Sequence, residues 1–205
     1  MITPTTDSIV RDSTAARCRP TMSRRAHALL LCAGLRMMAT VMSASDRWPQ
    51  FRGIDAGAIA DDPGLPDTWS ATQNVAWSLD IPGLGWSSPV VWGDHIFVTS
   101  VISSGKVTAP QPGIYPGSMP YDARARHRWM VYAVSLATGK IRWQREIRDI
   151  VPPATKHLKN SFASETPVTD GERVYVYFAN IGLFALDMNG EIVWAHEMPP
   201  VSTRD

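Results

Sequence analysis

Residues 183–194 read LFALDMNGEIVW, and residues 131–143 read VYAVSLATGKIRW. The two stretches align after one deletion, since each has an alternating apolar run, a turn with glycine and a second run that reaches tryptophan. Upstream, residues 88–100 (SPVVWGDHIFVTS) align in the same way with residues 166–178 (TPVTDGERVYVYF). The chain therefore contains an internal repeat, and this repeat decides the fold.

Each copy is predicted to form four short antiparallel strands, because alternating apolar runs are separated by turn residues. In the run RVYVYF, the side chains of Val174, Val176 and Phe178 would share one face. The predicted strands are 87–92, 95–101, 129–136 and 141–147 in one copy, and 163–169, 173–179, 182–187 and 191–197 in the next. Glycine beside Asp or Asn favours tight hairpins between them.

An earlier, partial copy is indicated by residues 74–81, NVAWSLDI, which resemble a last strand. Trp77, Trp143 and Trp194 then close three successive units, at spacings of 66 and 51 residues. Four antiparallel strands per unit predict an all-β fold, a partial β-propeller of about two full blades plus part of a third. We expect it to be a fragment of a longer propeller. A β-sandwich is the alternative fold, but it does not explain the recurring Trp.

The predicted organisation separates a leader from the repeats. Residues 1–45 carry six Arg and two Asp, and in them Arg24 and Arg25 precede the apolar run AHALLLCAG, as in a secretory signal. We therefore expect a periplasmic or secreted protein. Residues 46–205 are predicted as repeats, with a partial blade at 46–81 and blades at 86–147 and 163–197. These residues have a net charge of −3, so no basic surface for nucleic acid is expected. No membrane span is expected either, because the apolar run is too short.

At the repeated positions the chain resembles the quinoprotein-like (PQQ-like) β-propeller repeat family of secreted bacteria, whose blades end on Ala-x-Asp-x-x-Thr-Gly-x-x-x-Trp. The residues that carry the resemblance and its implied structural role, joining neighbouring blades, are Trp77, Ala133, Gly139, Trp143, Ala185, Gly190 and Trp194. Ser135 stands where the pattern has Asp. Residues 48–53, WPQFRG, also resemble the opening of secreted members.

The resemblance implies two classes of function. Some members are quinone-dependent dehydrogenases, so a fragment of such an enzyme, with PQQ and calcium, is one alternative. Another member, the propeller lipoprotein of the outer-membrane barrel-assembly machinery, is a protein-binding scaffold. We expect the second class: no catalytic residue, no cofactor, and a protein or peptide partner, with further blades in a longer chain or in other copies. A carbohydrate-binding propeller that uses Trp86 is a third possibility.

Individual residues give little support for catalysis. Cys18 and Cys32 lie in the leader, so the repeats lack a thiol nucleophile or a cysteine-based metal site. The histidines have no metal-ligand spacing. Asn160 and Glu165 carry oxygens of the type that calcium prefers, but Glu165 is expected to be a satisfied surface carboxylate.

Connection lengths indicate where a partner would bind. The turns at one end of the predicted strands are tight, whereas both long connections, 102–128 and 148–162, lie at the opposite end. Binding residues concentrate on loops that a rigid scaffold holds. The candidate binding residues are Tyr115, Tyr121, Arg124, Arg126, His127, Lys156, His157, Lys159 and Asn160.

Overall fold

The computed structural model describes residues 47–54, 57, 64–107, 124–156 and 160–200. Within these ranges every regular element is a β-strand, and the all-β expectation is confirmed. One antiparallel sheet contains, in order, β1 (Arg47–Trp48), β2 (Val90–Trp92), β3 (His95–Ser103), β4 (His127–Ser135) and β5 (Ile141–Ile150). The second contains β6 (Val168–Thr169), β7 (Arg173–Phe178), β8 (Gly182–Asp187) and β9 (Ile192–His196). The predicted leader lies outside the described residues.

The alternation of apolar side chains explains the strands. In β7, Val174, Val176 and Phe178 are buried, while the intervening Tyr175 and Tyr177 are only partly buried. Side chains on a strand point to opposite faces in turn, so this pattern places the three apolar residues on one face of the second sheet. The shared face predicted for these residues is confirmed.

Three strand assignments differ from the sequence prediction. The strand predicted at 163–169 is observed only as β6, Val168–Thr169. β1 is an additional edge strand, in which Arg47 pairs with Trp92 of β2. Conversely, residues 74–81 form no strand in the structure. The partial copy at 46–81 thus supplies an edge strand to the first sheet and one unpaired extended segment.

The main hydrophobic core lies between the two sheets. Phe97, Trp129 and Val131 of the first sheet pack with Phe178 and Phe184 of the second, and all five are buried. Burying large apolar side chains of this kind contributes roughly 1.5–3 kcal/mol each. The two sheets are therefore stacked face to face, with a shared core.

A second cluster covers the other face of the first sheet. Met130 and Tyr132 of β4 are buried, and Trp77, Leu79 and Ile81 pack against this cluster. The unpaired segment 74–81 therefore lies on the first sheet much as the second sheet lies on its opposite face, although it forms no strand.

Two of the tryptophans that end a repeat, Trp77 and Trp143, pack on a glycine in the turn of the next repeat. Trp143 donates a hydrogen bond from Nε1 to the carbonyl of Met188 at 2.8 Å, and a Cβ on Gly190 would lie 2.7 Å from its ring. Trp77 donates in the same way to Leu136 at 2.8 Å, and its ring lies on Gly139. Both glycines have positive φ, +68° and +85°, a conformation that side chains disfavour. The two turns need glycine for both conformation and space.

A β-bulge occurs at the same place in both sheets. In the first sheet the register shifts after Ala133, so that Trp143 pairs with Ala133 and Arg142 is left unpaired. In the second sheet the shift follows Ala185, which pairs with Trp194. The turns before the bulges differ by one residue, because five residues separate β4 from β5 and four separate β8 from β9.

The connections differ between the two ends of the sheets. We call one end the turn end; it contains the tight turns 93–94, 136–140, 170–172 and 188–191. At the opposite end, the loop end, β3 ends and β4 begins, β5 ends and β6 begins, and the short turn 179–181 joins β7 to β8. The connections that start and finish there are 104–126 and 151–167. The sequence predicted tight turns at one end of the strands and two long connections at the other. The observed strand bounds confirm this difference.

Candidate functional site

The loop end is held together by hydrogen bonds between separate connections. The backbone N–H of Ala154 donates to Oδ1 of the buried Asn180 at 3.1 Å. The N–H of Ala179 donates to Oε1 of Glu165 over a longer distance, 3.4 Å. Both ends of the 151–167 connection are thereby fixed to the turn between β7 and β8.

Glu165 is the least satisfied side chain at the loop end. Its Oε2 is buried without a hydrogen-bond partner, and Oε1 accepts a long bond from the N–H of Ala179. Burial raises the pKa of this carboxyl, while nearby backbone N–H groups oppose the shift. A buried carboxylate with so few donors is costly to charge. The expectation that Glu165 is a satisfied surface carboxylate is therefore wrong.

Lys156 is a partly buried cation on the same connection. Its Nζ donates to the carbonyl of Asn160 at 2.7 Å and lies 5.8 Å from the ring centroid of Phe162. Burial lowers the pKa of the Lys156 ammonium. No ion pair among the described residues joins Lys156 to Glu165, so each keeps its own desolvation cost.

Buried aromatic side chains pack against the 151–167 connection. Phe162 is buried, its carbonyl accepts a hydrogen bond from Trp129 Nε1 at 3.2 Å, and the ring of His127 approaches it edge-on at 5.1 Å. The His127 ring is itself buried, with Nδ1 2.9 Å from the carbonyl of Ala125. The connection that carries Lys156 and Glu165 thus rests on a rigid base.

Trp86 lies beside this connection. Its backbone N–H donates to the carbonyl of Ala163 at 2.9 Å, and its side chain is 47% exposed. The neighbouring N–H of Ser88 donates to Thr166 Oγ1 at 3.1 Å. An exposed aromatic ring therefore lies next to the loop end.

The structure brings together only some of the predicted binding residues. Lys156 and Asn160 meet directly, whereas Arg126 is exposed and pairs with Asp149 at 3.0 Å. Arg124 is exposed, but His127 is buried and contributes to packing. The predicted binding residues outside the described residues are Tyr115, Tyr121, His157 and Lys159.

Asn180 and the burial of Glu165 were missed by the sequence prediction. Asn180 lies between two strands, in the short segment Ala-Asn-Ile, where a polar residue is ordinarily read as an exposed turn. Its contact with Ala154 joins positions 26 residues apart, and no local pattern reports such a contact.

The described donor set does not fit calcium. Calcium requires about six to eight oxygen ligands, whereas Glu165 Oε2 is the single buried carboxylate oxygen without a partner among the described residues. No group of three or more His, Cys, Asp or Glu residues suited to a metal ion occurs in the described ranges. We therefore derive no chemistry through calcium or a quinone.

Two comparisons with known proteins, against family models and against curated sequences, gave no match. In the part of the chain that the structure describes, no helix is long and apolar enough to cross a membrane.

Proposed function

We propose that this chain is a β-propeller repeat protein of the quinoprotein-like type, exported from the cytoplasm, that acts as a non-catalytic scaffold and binds a protein or peptide at its loop end. The observation that carries the proposal is geometric: at the end where the connections are long, Glu165 has a buried carboxylate oxygen without a hydrogen-bond partner, and Lys156 is partly buried. The pKa values of both groups are shifted by burial. Groups with perturbed pKa values cluster at functional sites.

The stacking of the sheets supports the repeat architecture. The four strands β2–β5 and the four strands β6–β9 pack face to face, and the turns at Gly139 and Gly190 each receive a tryptophan from the preceding unit. Successive four-stranded sheets joined in this way are the arrangement of propeller blades. A β-sandwich needs no recurrent contact of this kind.

The surface chemistry of the loop end suits a polypeptide. Trp86 is 47% exposed, and Arg124 and Arg126 are exposed in the segment that leads into β4. Aromatic and arginine side chains are enriched in protein interfaces.

Site-specific photo-crosslinking tests the proposal. p-Benzoylphenylalanine replaces Val151 at the loop end or Leu136 at the turn end, two positions that are 42% and 41% exposed. The full chain carrying either label is irradiated in a periplasmic extract of the organism that produces it. We expect a discrete crosslinked protein from position 151 that disappears when excess unlabelled chain competes.

The matched position supplies the control. Position 136 should give no competable product, because the turn end is occupied by intramolecular contacts. Equal labelling from both positions, or no competable product from position 151, would overturn loop-end binding.

A further inference from the structure

The turn between β8 and β9 contains the one Asn-Gly pair of the sequence, Asn189–Gly190. Asparagine is a thermolabile residue, and a following glycine has no side chain to shield the backbone nitrogen that attacks the asparagine amide. Asn189 is exposed to solvent, whereas Gly190 is buried. The two partners of such an attack therefore differ, because water reaches the amide while the nitrogen is covered.

The reaction needs only these two residues and water. The nitrogen of Gly190 gives up its proton to solvent and forms a bond to Cγ of Asn189, the Cγ–Nδ2 bond breaks, and the amide group takes up a proton and leaves as ammonia. Water then opens the cyclic imide at either carbonyl carbon. Opening at Cγ gives aspartate. Opening at the main-chain carbonyl carbon gives isoaspartate, whose backbone runs through Cβ and Cγ and so contains an additional carbon atom.

The folded turn opposes this attack at the glycine. The N–H of Gly190 donates to the carbonyl of Asp187 at 3.0 Å, so its proton is held in a hydrogen bond. The Trp143 ring lies on Gly190, where a Cβ would be 2.7 Å from ring atoms. The N–H of Asn189 donates to Oδ1 of Asp187 at 2.9 Å and holds the preceding residue in the turn. The nitrogen of Gly190 becomes free to attack when this arrangement opens.

The cover on Gly190 is a contact between the two sheets, since Trp143 belongs to β5 and the turn follows β8. Nε1 of Trp143 donates to the carbonyl of Met188 at 2.8 Å, and Nε of Arg145 donates to the carbonyl of Gly190 at 2.6 Å. A reaction that requires these contacts to open proceeds in proportion to the population of the open state. Its rate therefore reports how often the two sheets separate at this turn.

We propose that Asn189 is a spontaneous deamidation site that the docked Trp143 protects, and that conversion to isoaspartate prevents Trp143 from docking again. The additional backbone carbon lies directly before the glycine that the ring covers, where even a Cβ has no room. A brief opening is thereby converted into a lasting separation of the two sheets at this turn. The inference is independent of loop-end binding.

Mass spectrometry of the full chain tests the protection. The chain is incubated in mildly alkaline buffer, folded or unfolded in urea, and the conversion of Asn189 to aspartate and isoaspartate is followed by peptide mapping. We expect Asn189 to react at least about tenfold more slowly in the folded chain. Equal rates in the two states, or no reaction in the unfolded chain, would overturn the proposal.

A matched pair of variants tests whether Trp143 is the protecting group. Trp143→Phe and Trp77→Phe each remove an Nε1 donor from a bond of 2.8 Å, but only the Trp143 ring lies on Gly190. With both variants shown to be folded by circular dichroism, Trp143→Phe should raise the rate at Asn189 about tenfold, whereas Trp77→Phe should leave it unchanged. No acceleration in Trp143→Phe, or equal acceleration in both variants, would contradict protection by Trp143.

The converted wild-type chain tests the lasting separation and needs no substitution in the core. The isoaspartate form is isolated by ion exchange, and hydroxyl-radical oxidation of Trp143 is measured with Trp69, which is 73% exposed, as the reference. We expect faster oxidation of Trp143 in the isoaspartate form and the unconverted rate in Asn189→Asp, which adds the charge without lengthening the backbone. An unchanged rate in the isoaspartate form, or the same increase in Asn189→Asp, would overturn this part of the proposal.

Discussion

The two ends of the sheets treat their carboxylates in opposite ways. At the turn end, Asp187 Oδ1 accepts backbone N–H groups of Asn189 and Glu191, each at 2.9 Å, and the bond from Glu191 is the largest of the effects that lower the pKa of Asp187. At the loop end, Glu165 has one long bond and a raised pKa. The contrast shows that the turn end is arranged for stability, whereas the loop end keeps polar groups poorly satisfied, as binding sites commonly do.

The largest effect is expected from a side chain in the turn under Trp143. Gly190→Val places a β-branched residue at φ +85° with its Cβ 2.7 Å from the ring. We expect a loss of about 3 kcal/mol in the free energy of unfolding, measured by urea denaturation. Gly57→Val is the control, since a Cβ at Gly57 has no neighbour within 4 Å, and it should change stability by less than about 0.5 kcal/mol. Similar losses in both variants would contradict the special role of the turn.

A smaller effect is expected when the tryptophan loses its hydrogen bond. Trp143→Phe removes the Nε1 donor to Met188 and should cost about 1–2 kcal/mol. Trp194→Phe removes a ring that is 37% exposed and should cost less than about 0.5 kcal/mol. Thermal or urea unfolding of the two variants side by side checks the difference, and a larger loss at Trp194 would reverse the comparison.

At the loop end, neutralising Glu165 should stabilise the protein. The folded-state pKa is raised, so stability falls as pH rises from the unfolded value, 4.5, through the folded pKa. Glu165→Gln should therefore gain stability at pH 7, by less than about 1 kcal/mol because solvent partly screens the group, and should match the wild type below pH 4.5. Urea unfolding at a series of pH values measures the gain, and a loss at pH 7 would contradict the predicted cost of this charge.

At the turn end, neutralising Asp187 should have the opposite sign and the smallest effect. The pKa is lowered from 3.8, so the charge contributes stability above that value and loses it as pH falls through the folded pKa. Asp187→Asn keeps an acceptor oxygen for the turn and removes only the charge. The same series of pH values should show a slight loss at neutral pH that disappears in acid. A gain at pH 7 would remove the contrast between the two ends.

The repeat made much of the fold predictable from the sequence. Alternation and turn glycines are local signals, and they located all eight strands of the two repeats, although β6 contains only two of the seven residues predicted for it. The pairing of β1 was not predictable, because Arg47 and Trp92 are 45 residues apart and only two residue pairs join them. The environment of Glu165 was not predictable either, because it depends on a contact with Ala179, 14 residues away in another connection.

Because both sheets have a bulge at the same place, the tryptophan after each turn keeps the same pairing even though the two turns differ in length. A shift of one residue along a strand would ordinarily turn every later side chain to the other face. Here one unpaired residue, Arg142 or Val193, always precedes the tryptophan that pairs with alanine, although the turns differ by one residue. Insertions and deletions can therefore accumulate in these turns during evolution while neighbouring sheets stay docked. Such changes are confined to the residues beside Gly139 and Gly190, because these two glycines lie under Trp77 and Trp143.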